Sequence, residues 1–326
     1  GGKTVVDYDY SAVYLNKGND SKNDLGFSLW TVESHMDSNN INTPHRLEFN
    51  TTFNYTGGLY DYREQEFRGF NLVVENRSNN ITINHSFHQD IGRQGKKFKE
   101  ELMDHHSSLY RLRQNNWGST FDTTLFFYTT LLHDENTTTF DGDNTKRPKS
   151  NAINYTYDEW GNILLRYNDG DGDTTGDERF EYFDYVNNTD KWIVETTKRY
   201  SLYDSQNVTK LRETQYSYDG LSFGAPPIRG DLTKEEKILD GGTNPVTEWE
   251  YDQFGNVVNQ TDSNGRLTKL VYGINDSTFT FPEQEINAKN HITNRLYDFS
   301  TGNVLSITDP NGFITNYTYD VFGRIL

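Results

Sequence analysis

Residues 251–272 read YDQFGNVVNQTDSNGRLTKLVY, and both halves of this stretch recur in the second half of the chain. The first phrase returns as YDEWGNIL (157–164), YDFSTGNVL (297–305) and YDVFGRIL (319–326), with partial copies at 203–208 and 218–220. The second phrase starts at residue 261 and returns as TDPNGFITNYTY (308–319). The last two complete Tyr-Asp steps lie 22 residues apart, a period that is typical of repeat architectures.

Each position of the repeated phrase has a structural explanation. The tyrosine ends a strand and covers its neighbours with a large ring, and the aspartate accepts backbone N–H bonds in the turn that follows. The glycine supplies the positive φ that reverses the chain, and the next apolar pair starts the returning strand. Each unit is therefore predicted to be a β-hairpin that buries its apolar face only when it is stacked on others. The positions concerned are Tyr157, Asp158, Gly161, Tyr251, Asp252, Gly255, Tyr297, Asp298, Gly302, Tyr319, Asp320 and Gly323.

The remaining patterning predicts an all-β fold of antiparallel strands in an extended sheet. ITINHSFH (81–88) alternates in the manner of a strand, and turn signals recur about every ten residues. Helical periodicity is nearly absent, with Lys96–Tyr110 as the best, and poor, helical candidate. Composition agrees, because 33% hydrophobic residues and a mean hydropathy of −0.87 are low for a globular protein, whereas 22 Tyr, 20 Phe and 5 Trp are too many for a disordered one. A thin shell or extended sheet, which is mostly surface, reconciles the two.

Charge and composition also narrow the partners. A net charge of −17 and the lack of a dense basic run argue against nucleic acid. No apolar run approaches the ~20 residues of a membrane-spanning helix, so none is expected in this segment. The chain has no cysteine, which excludes disulfides and thiolate metal sites. Thirteen Asn-x-Ser/Thr sequons suit a secreted or cell-surface protein, although Thr-rich strands in an Asn-rich chain produce the same excess.

GGLYDYREQEFRGF (57–70) places two glutamates among arginines, an arrangement that a pair of catalytic carboxylates would share. A structural interpretation is favoured, with a turn at Gly57-Gly58 and Tyr60-Asp61 and with Phe67 and Phe70 anchoring a strand. If residues 63–68 are extended, Glu64, Glu66 and Arg68 share one face, where the arginine offsets the carboxylates. A carbohydrate-active enzyme rests only on these clustered carboxylates, and the chain is expected not to be an enzyme.

These phrases resemble a known family. YDxxGN and TDPNGF followed by YTYD resemble the YD (Rhs) repeats, while GGLYDYREQEFRGF, NLVVEN and FHQD (87–90) resemble the middle region of toxin-complex B components. His88-Gln89-Asp90-Ile91 lacks the glycine expected before the aspartate, so a different local turn is expected there. The matching positions upstream are Gly57, Gly58, Tyr60, Asp61, Glu66, Phe67, Arg68, Gly69 and Phe70. The resemblance divides the chain into a B-type middle region (1–148) and a YD-repeat region (149–326) that ends within a repeat, as expected of an excerpt.

The resemblance implies a role as well as a fold. YD repeats of this family coil an antiparallel sheet into a hollow shell, or cocoon, around a variable C-terminal toxin or effector domain. The implied partners are therefore that cargo and other toxin-complex subunits, and the implied function is non-catalytic encapsulation and delivery. The alternative is a cell-surface YD-repeat adhesin that binds carbohydrate or neighbouring cells through its aromatic-rich strands.

Two groups of side chains are candidates for metal binding. NDGDGDTTGDE (168–178) carries Asp169, Asp171, Asp173 and Asp177 at the spacing of calcium-loop ligands, but it departs from the EF-hand pattern, and a solvated acidic turn remains the alternative. His85 and His88 lie three apart on a strand and should face opposite ways, and His105 and His106 meet the same difficulty if extended. No cofactor is therefore expected beyond a possible structural calcium ion.

Overall fold

The computed structural model describes residues 2–14, 25–41, 44–140 and 147–326. These residues contain 21 strands and two 3₁₀ helices, Ser11–Val13 and Thr189–Lys191, and every strand pairing with a stated register is antiparallel. The predicted all-β, antiparallel fold is confirmed. The strands are β1 (Lys3–Tyr10), β2 (Trp30–Ser38), β3 (Glu48–Asp61), β4 (Glu66–Arg77), β5 (Ile81–Phe87), β6 (Lys97–Asp104), β7 (Leu109–Asp122), β8 (Phe127–Thr139), β9 (Lys149–Tyr157), β10 (Ile163–Asn168), β11 (Arg179–Tyr185), β12 (Thr197–Tyr203), β13 (Lys210–Tyr218), β14 (Leu232–Ile238), β15 (Val246–Tyr251), β16 (Val257–Thr261), β17 (Leu267–Val271), β18 (Gln284–Ile286), β19 (Ile292–Asp298), β20 (Asn303–Thr308) and β21 (Ile314–Asn316).

The chain divides into two compact units. The first consists of Gly1–Phe180 with Asp204–Val208, and the second consists of Glu181–Tyr203 with Thr209–Leu326. In the first unit each strand from β1 to β10 pairs with the next along the sequence. In the second unit the same holds from β12 to β21. Each unit is thus a meander that needs only local connections. This division by packing does not test the family-based boundary at 148/149, which stays a prediction.

The helical candidate Lys96–Tyr110 is wrong. These residues form β6, a turn, and the start of β7. Strand β6 pairs along its length with β5 on one side and β7 on the other, for example Glu100 with His85 and with Arg113. Backbone groups satisfied on both edges, together with cross-strand charge pairs, outweigh the weak helical pattern of the segment.

Few hydrophobic side chains are buried among the described residues, in agreement with the low hydrophobic content of the chain. Three hydrophobic residues are buried there, Leu25, Ile83 and Tyr297, against ten polar or charged ones that include Arg68 and Glu283. Aromatic rings contact one another along the strands, for example Tyr55 with Phe70 and Tyr167 with Phe180. The strands are therefore stabilised by hydrogen bonds and ring contacts rather than by a thick apolar core. Within the same residues no helix is long and apolar enough to cross a membrane.

Candidate functional site: the repeated turns and the Arg68 cluster

The Tyr-Asp turn is a five-residue loop organised by its aspartate. In the turn between β15 and β16, Oδ1 of Asp252 accepts the backbone N–H of Phe254 at 2.8 Å and of Asn256 at 3.0 Å. The N–H of Asp252 donates to the carbonyl of Asn256 at 2.9 Å, and Gly255 has φ +88°. Oδ1 accepts the same two N–H groups, two and four residues on, in the turns of Asp158 and Asp320. The aspartate therefore has the acceptor role expected of it, and its charge is turned toward the backbone.

The second phrase of the repeat builds the same turn at the opposite end of the strands. Oδ1 of Asp262, between β16 and β17, accepts the N–H groups of Asn264 and Arg266 at 2.9 Å. Asp309, between β20 and β21, does the same. The N–H of Arg266, followed by that of Asn264, holds the pKa of Asp262 below its ordinary value. Both ends of the repeated hairpins thus depend on one aspartate side chain per turn.

The tyrosine of each step makes a specific bond that the sequence does not reveal. The hydroxyl of Tyr251 donates to the backbone carbonyl of Leu232, at the start of the preceding strand, at 2.8 Å. The hydroxyls of four further tyrosines likewise donate to backbone carbonyls 15 to 25 residues earlier in the chain, at 2.7 to 3.2 Å: Tyr157 to Leu132, Tyr218 to Thr197, Tyr297 to Pro282 and Tyr319 to Val304. Burial raises the pKa of Tyr218 to about 12, so this donor keeps its proton at neutral pH. The ring covers the neighbouring strand while the hydroxyl fastens it.

Arg68 is the centre of the upstream motif. Its side chain is 3% exposed, and Nη1 donates to Oε1 of Gln94 at 2.6 Å and pairs with Oε2 of Glu66 at 2.9 Å. Nη2 donates to Oδ2 of Asp61 at 3.2 Å. The N–H groups of Arg63 and Glu64 hold the pKa of Asp61 below its ordinary value, with Arg68 adding to the effect. We call Asp61, Glu66, Arg68 and Gln94 the Arg68 cluster.

Two expectations for this motif need correction. Gly57-Gly58 and Tyr60-Asp61 do not form a turn, since all four lie in β3, and the turn is at residues 62–65. Glu64 lies in that turn and does not share a face with Arg68, whereas Glu66 does. Gly57 has φ +67° within the strand, close to a register shift after Gly58, so the glycines bend β3 and do not reverse it.

Aromatic packing follows the expected positions. The rings of Phe67 and Phe70 are 5.5 Å apart, and Phe70 also contacts Tyr55 at 4.8 Å. Gly69, between them, contributes its carbonyl, which accepts the side-chain N–H of Gln89 at 2.8 Å. Gln89 also donates to the carbonyl of Gly57 at 2.7 Å. Gln89 thus joins β3 to β4 from a position 20 residues beyond Gly69 and 32 beyond Gly57.

The turn after β5 lacks the glycine expected of the family, and its difference from the family's turn stays a prediction. The N–H of His88 donates to the carbonyl of Lys96 at 3.0 Å, and Asp90 accepts the N–H of Arg93 at 3.1 Å. This loop brings Gln94 to Arg68, and it brings Gln89 to the carbonyls of Gly57 and Gly69. Sequence reasoning missed both glutamines, and their only signal was the FHQD motif that contains one of them.

The structure describes all four aspartates of the acidic stretch, and each of them binds a different partner. Asp169 accepts the N–H of Ala152 at 2.5 Å, and Asp171 pairs with Lys149 at 2.7 Å. Asp173 pairs with Arg147 at 2.6 Å, and Asp177 accepts the N–H of Asp171 at 2.8 Å. No three of the four bring carboxylate oxygens within 4.8 Å of one another. The calcium loop stays a prediction, and basic side chains and backbone N–H groups contact the carboxylates instead.

His85 lies within a strand, whereas His105 and His106 lie in a turn. His85 lies between Glu75, at 3.1 Å, and Glu100, at 3.4 Å, in a cross-strand charge row. His105 and His106 were expected to point apart if extended, but they lie in the turn after β6, and their ring centroids are 3.7 Å apart. Among the described residues, Asp104, His105 and His106 form the one set of three carboxylate or imidazole side chains with donor atoms within 4.8 Å of one another.

Comparison with known proteins finds a family match at each end of the chain. Residues 1–91 match the family model for the insecticide toxin TcdB middle/N-terminal region, and residues 297–326 match the Rhs repeat. These segments belong to the TcdB toxin and Rhs-repeat families. The resemblance read from the motifs is thereby confirmed for these two segments, which contain Asp61, Glu66 and Arg68 and the last two Tyr-Asp turns. No curated protein matches the chain.

Solved structures support the same fold along the whole chain. The TcdB2-TccC3 structure without its hypervariable C-terminal region matches with a TM-score of 0.68, at 13% identity over 100% of this chain and 23% of that one. A TcdB2-TccC3-Cdc42 structure matches with a TM-score of 0.66, at 14% identity over 100% and 24%. A Photorhabdus luminescens Tc holotoxin pore gives 0.66, at 13% identity over 100% and 23%. This chain therefore spans about a quarter of the structures that it matches, and identity this low supports the fold alone.

Proposed function

We propose that this chain is a non-catalytic wall segment of a toxin-complex B-type protein, which encloses and helps to deliver a C-terminal toxin or effector domain. The family matches at both ends and the fold similarity along the whole chain support this assignment. The proposed partners are the C-terminal cargo and other toxin-complex subunits, and the proposed location is outside the producing cell. A shell would keep the cargo from the contacts that it needs to fold or to act.

One observation carries the wall assignment. The aspartate of the repeated turns is occupied by backbone N–H groups, and the tyrosine hydroxyl by a carbonyl of the preceding strand. The recurring aspartate carboxylates and tyrosine hydroxyls thus form the hydrogen bonds that hold the turns and the neighbouring strands together. Such a sheet can be extended by repeats without a thick apolar core, which is what a wall requires.

The test uses the full-length protein. A density map should contain an internal cavity occupied by cargo density, and the C-terminal domain should resist protease until denaturant opens the wall. Arg68→Ala should lower the denaturant concentration at which the cargo becomes cleavable, whereas Arg63→Ala, in the exposed turn at 62–65, should not. A solid fold without an internal cavity, or a cargo that is cleaved at once in native buffer, would contradict the proposal.

The non-catalytic part has its own test. Glu64→Gln and Glu66→Gln should leave any glycan hydrolysis by the full-length protein unchanged, because Glu64 lies in an exposed turn and Glu66 is paired with Arg68 at 2.9 Å. Loss of a measurable hydrolytic activity in either variant, with glycan binding retained, would establish an enzyme instead.

A glycan-binding adhesin is the second candidate, and a groove in the second unit favours it. The groove has a volume of about 670 Å³ and lies between the loop 219–231 and β15. Its lining combines the rings of Trp249 and Tyr251 with the charged side chains of Arg229 and Glu248, a mixture that suits a polar ligand with apolar faces. Specific glycan binding by the full-length protein that is lost in Trp249→Ala, without internal cargo, would favour adhesion over encapsulation.

A further inference from the structure

The turn between β6 and β7 is a copy of the repeat turn with two histidines at its corner. Oδ1 of Asp104 accepts the N–H groups of His106 and Ser108 at 2.9 Å, and the N–H of Asp104 donates to the carbonyl of Ser108 at 3.1 Å. Ser107 has φ +63° and occupies the position that glycine has in the repeats. The two residues after the aspartate, Gln253 and Phe254 in the turn of Asp252, are here His105 and His106.

The second carboxylate oxygen of Asp104 faces the imidazoles. Oδ2 lies 3.9 Å from Nδ1 of His106, and one donor atom from each of Asp104, His105 and His106 lies within 4.8 Å of the other two. Both histidines are exposed, with the side chain of His106 at 72%. Within the described part of the chain, the ion pairs of Asp104 involve His106 and neither lysine nor arginine. The acidic stretch differs, because there Lys149 and Arg147 occupy the carboxylates.

From this juxtaposition we propose that Asp104, His105 and His106 bind one divalent transition-metal ion of the zinc, nickel, cobalt or copper class. Two imidazoles and a carboxylate suit these ions, whereas calcium and magnesium prefer ligand sets made of oxygen alone. Metal–nitrogen bonds of about 2.0–2.1 Å require donor atoms about 3–3.5 Å apart. Small side-chain rotations at this exposed corner can close that gap, because Oδ1 keeps the turn in place while Oδ2 remains available as the ligand. Water would complete the coordination, and the ion would hold the corner of the turn that follows β6.

The first test is metal titration of the full-length protein. Zinc is added against a chromophoric chelator, and copper is followed by electron paramagnetic resonance, in which two imidazole nitrogens give a recognisable hyperfine pattern. His105→Gln or His106→Gln should each weaken zinc binding at least about tenfold, and the double variant should abolish one equivalent. Asp104→Asn keeps an oxygen for the turn but loses the anionic ligand, so about a tenfold loss is expected with the turn intact. His291→Gln, in the turn of Asn287, is the matched control and should change nothing.

A second test transplants the site into a turn of the same geometry. Ser263→His combined with Asn264→His in the turn of Asp262 should add one equivalent of bound zinc, because Asp262 accepts the corresponding N–H groups at the same 2.9 Å. Circular dichroism of each variant checks that the fold is retained. Absence of zinc binding by the parent protein, unchanged affinity in the His105/His106 double variant, or no added equivalent in the transplant would each overturn the proposal. None of these results depends on whether the protein encloses a cargo.

Discussion

Removing the guanidinium of Arg68 is the sharpest test of how the wall motif is held. Arg68→Ala deletes a side chain that is 3% exposed and joins the end of β3, the start of β4 and the loop that carries Gln94. Two buried methylene groups are lost, at about 0.8 kcal/mol each, together with a charged hydrogen bond to Gln94 of about 1.5 kcal/mol. The ion pair with Glu66 is left out because that carboxylate is 52% exposed. The expected loss of local stability is therefore about 3 kcal/mol.

Hydrogen exchange of the full-length protein measures this loss where it should occur. Amides of β3 and β4 should lose about a hundredfold in protection in Arg68→Ala, since 1.36 kcal/mol corresponds to about tenfold. Arg68→Met keeps the apolar stem and should lose about tenfold, and Arg63→Ala should equal the parent. If Arg68→Ala and Arg63→Ala exchange alike in β3 and β4, or if Arg68→Met is as damaging as Arg68→Ala, the division of the energy between stem and head is wrong.

Four further predictions concern the repeats. Asp158→Ala, which removes the acceptor of two N–H groups, should cost its hairpin about 1–2 kcal/mol, measured by hydrogen exchange, whereas Asp158→Asn should retain most of the stability. Gly265→Ala, at φ +72° with open space around the added methyl, should lower the free energy of unfolding by about 1 kcal/mol through backbone strain alone, as measured by urea titration. Gly241→Ala, in equally open space but without a positive φ, should change it little. Tyr251→Phe should cost about 1 kcal/mol through the lost hydroxyl bond, and an unchanged unfolding midpoint would contradict a role for that bond. Since folding lowers the pKa of Asp262, the stability that it contributes is present above its ordinary value of 3.8 and is lost as the pH falls through the lower pKa of the folded state. Protection factors in its turn, corrected for the intrinsic exchange rate at each pH, should fall between about pH 5 and 3, and Asp262→Asn should remove that dependence.

The repeat turns could be predicted from the sequence because their chemistry is local. The acceptor, the two N–H groups and the residue with positive φ lie within five residues, so the spacing of Asp252 and Gly255 is enough to specify the hairpin. The Tyr hydroxyl bond was missed because its acceptor lies on the preceding strand, 19 residues before Tyr251. Its register depends on the pairing of β14 with β15, which no short motif encodes.

The candidate sites also combine local features, which the sequence predicts, with contacts that depend on strand pairing. The sequence by itself determined the strand class, the turn residues of the repeats and the family resemblance of the two end segments, and it placed Glu66 and Arg68 on one face. Only the tertiary structure brought Gln94 to Arg68 from 26 residues away and formed β6 where a poor helical pattern stood. The contact of His105 with His106 is local, but it was not predicted because the positive φ of this turn is held by Ser107 in place of a glycine. Bonds within a turn follow from neighbouring residues, whereas contacts between strands depend on which strands pair and in which register.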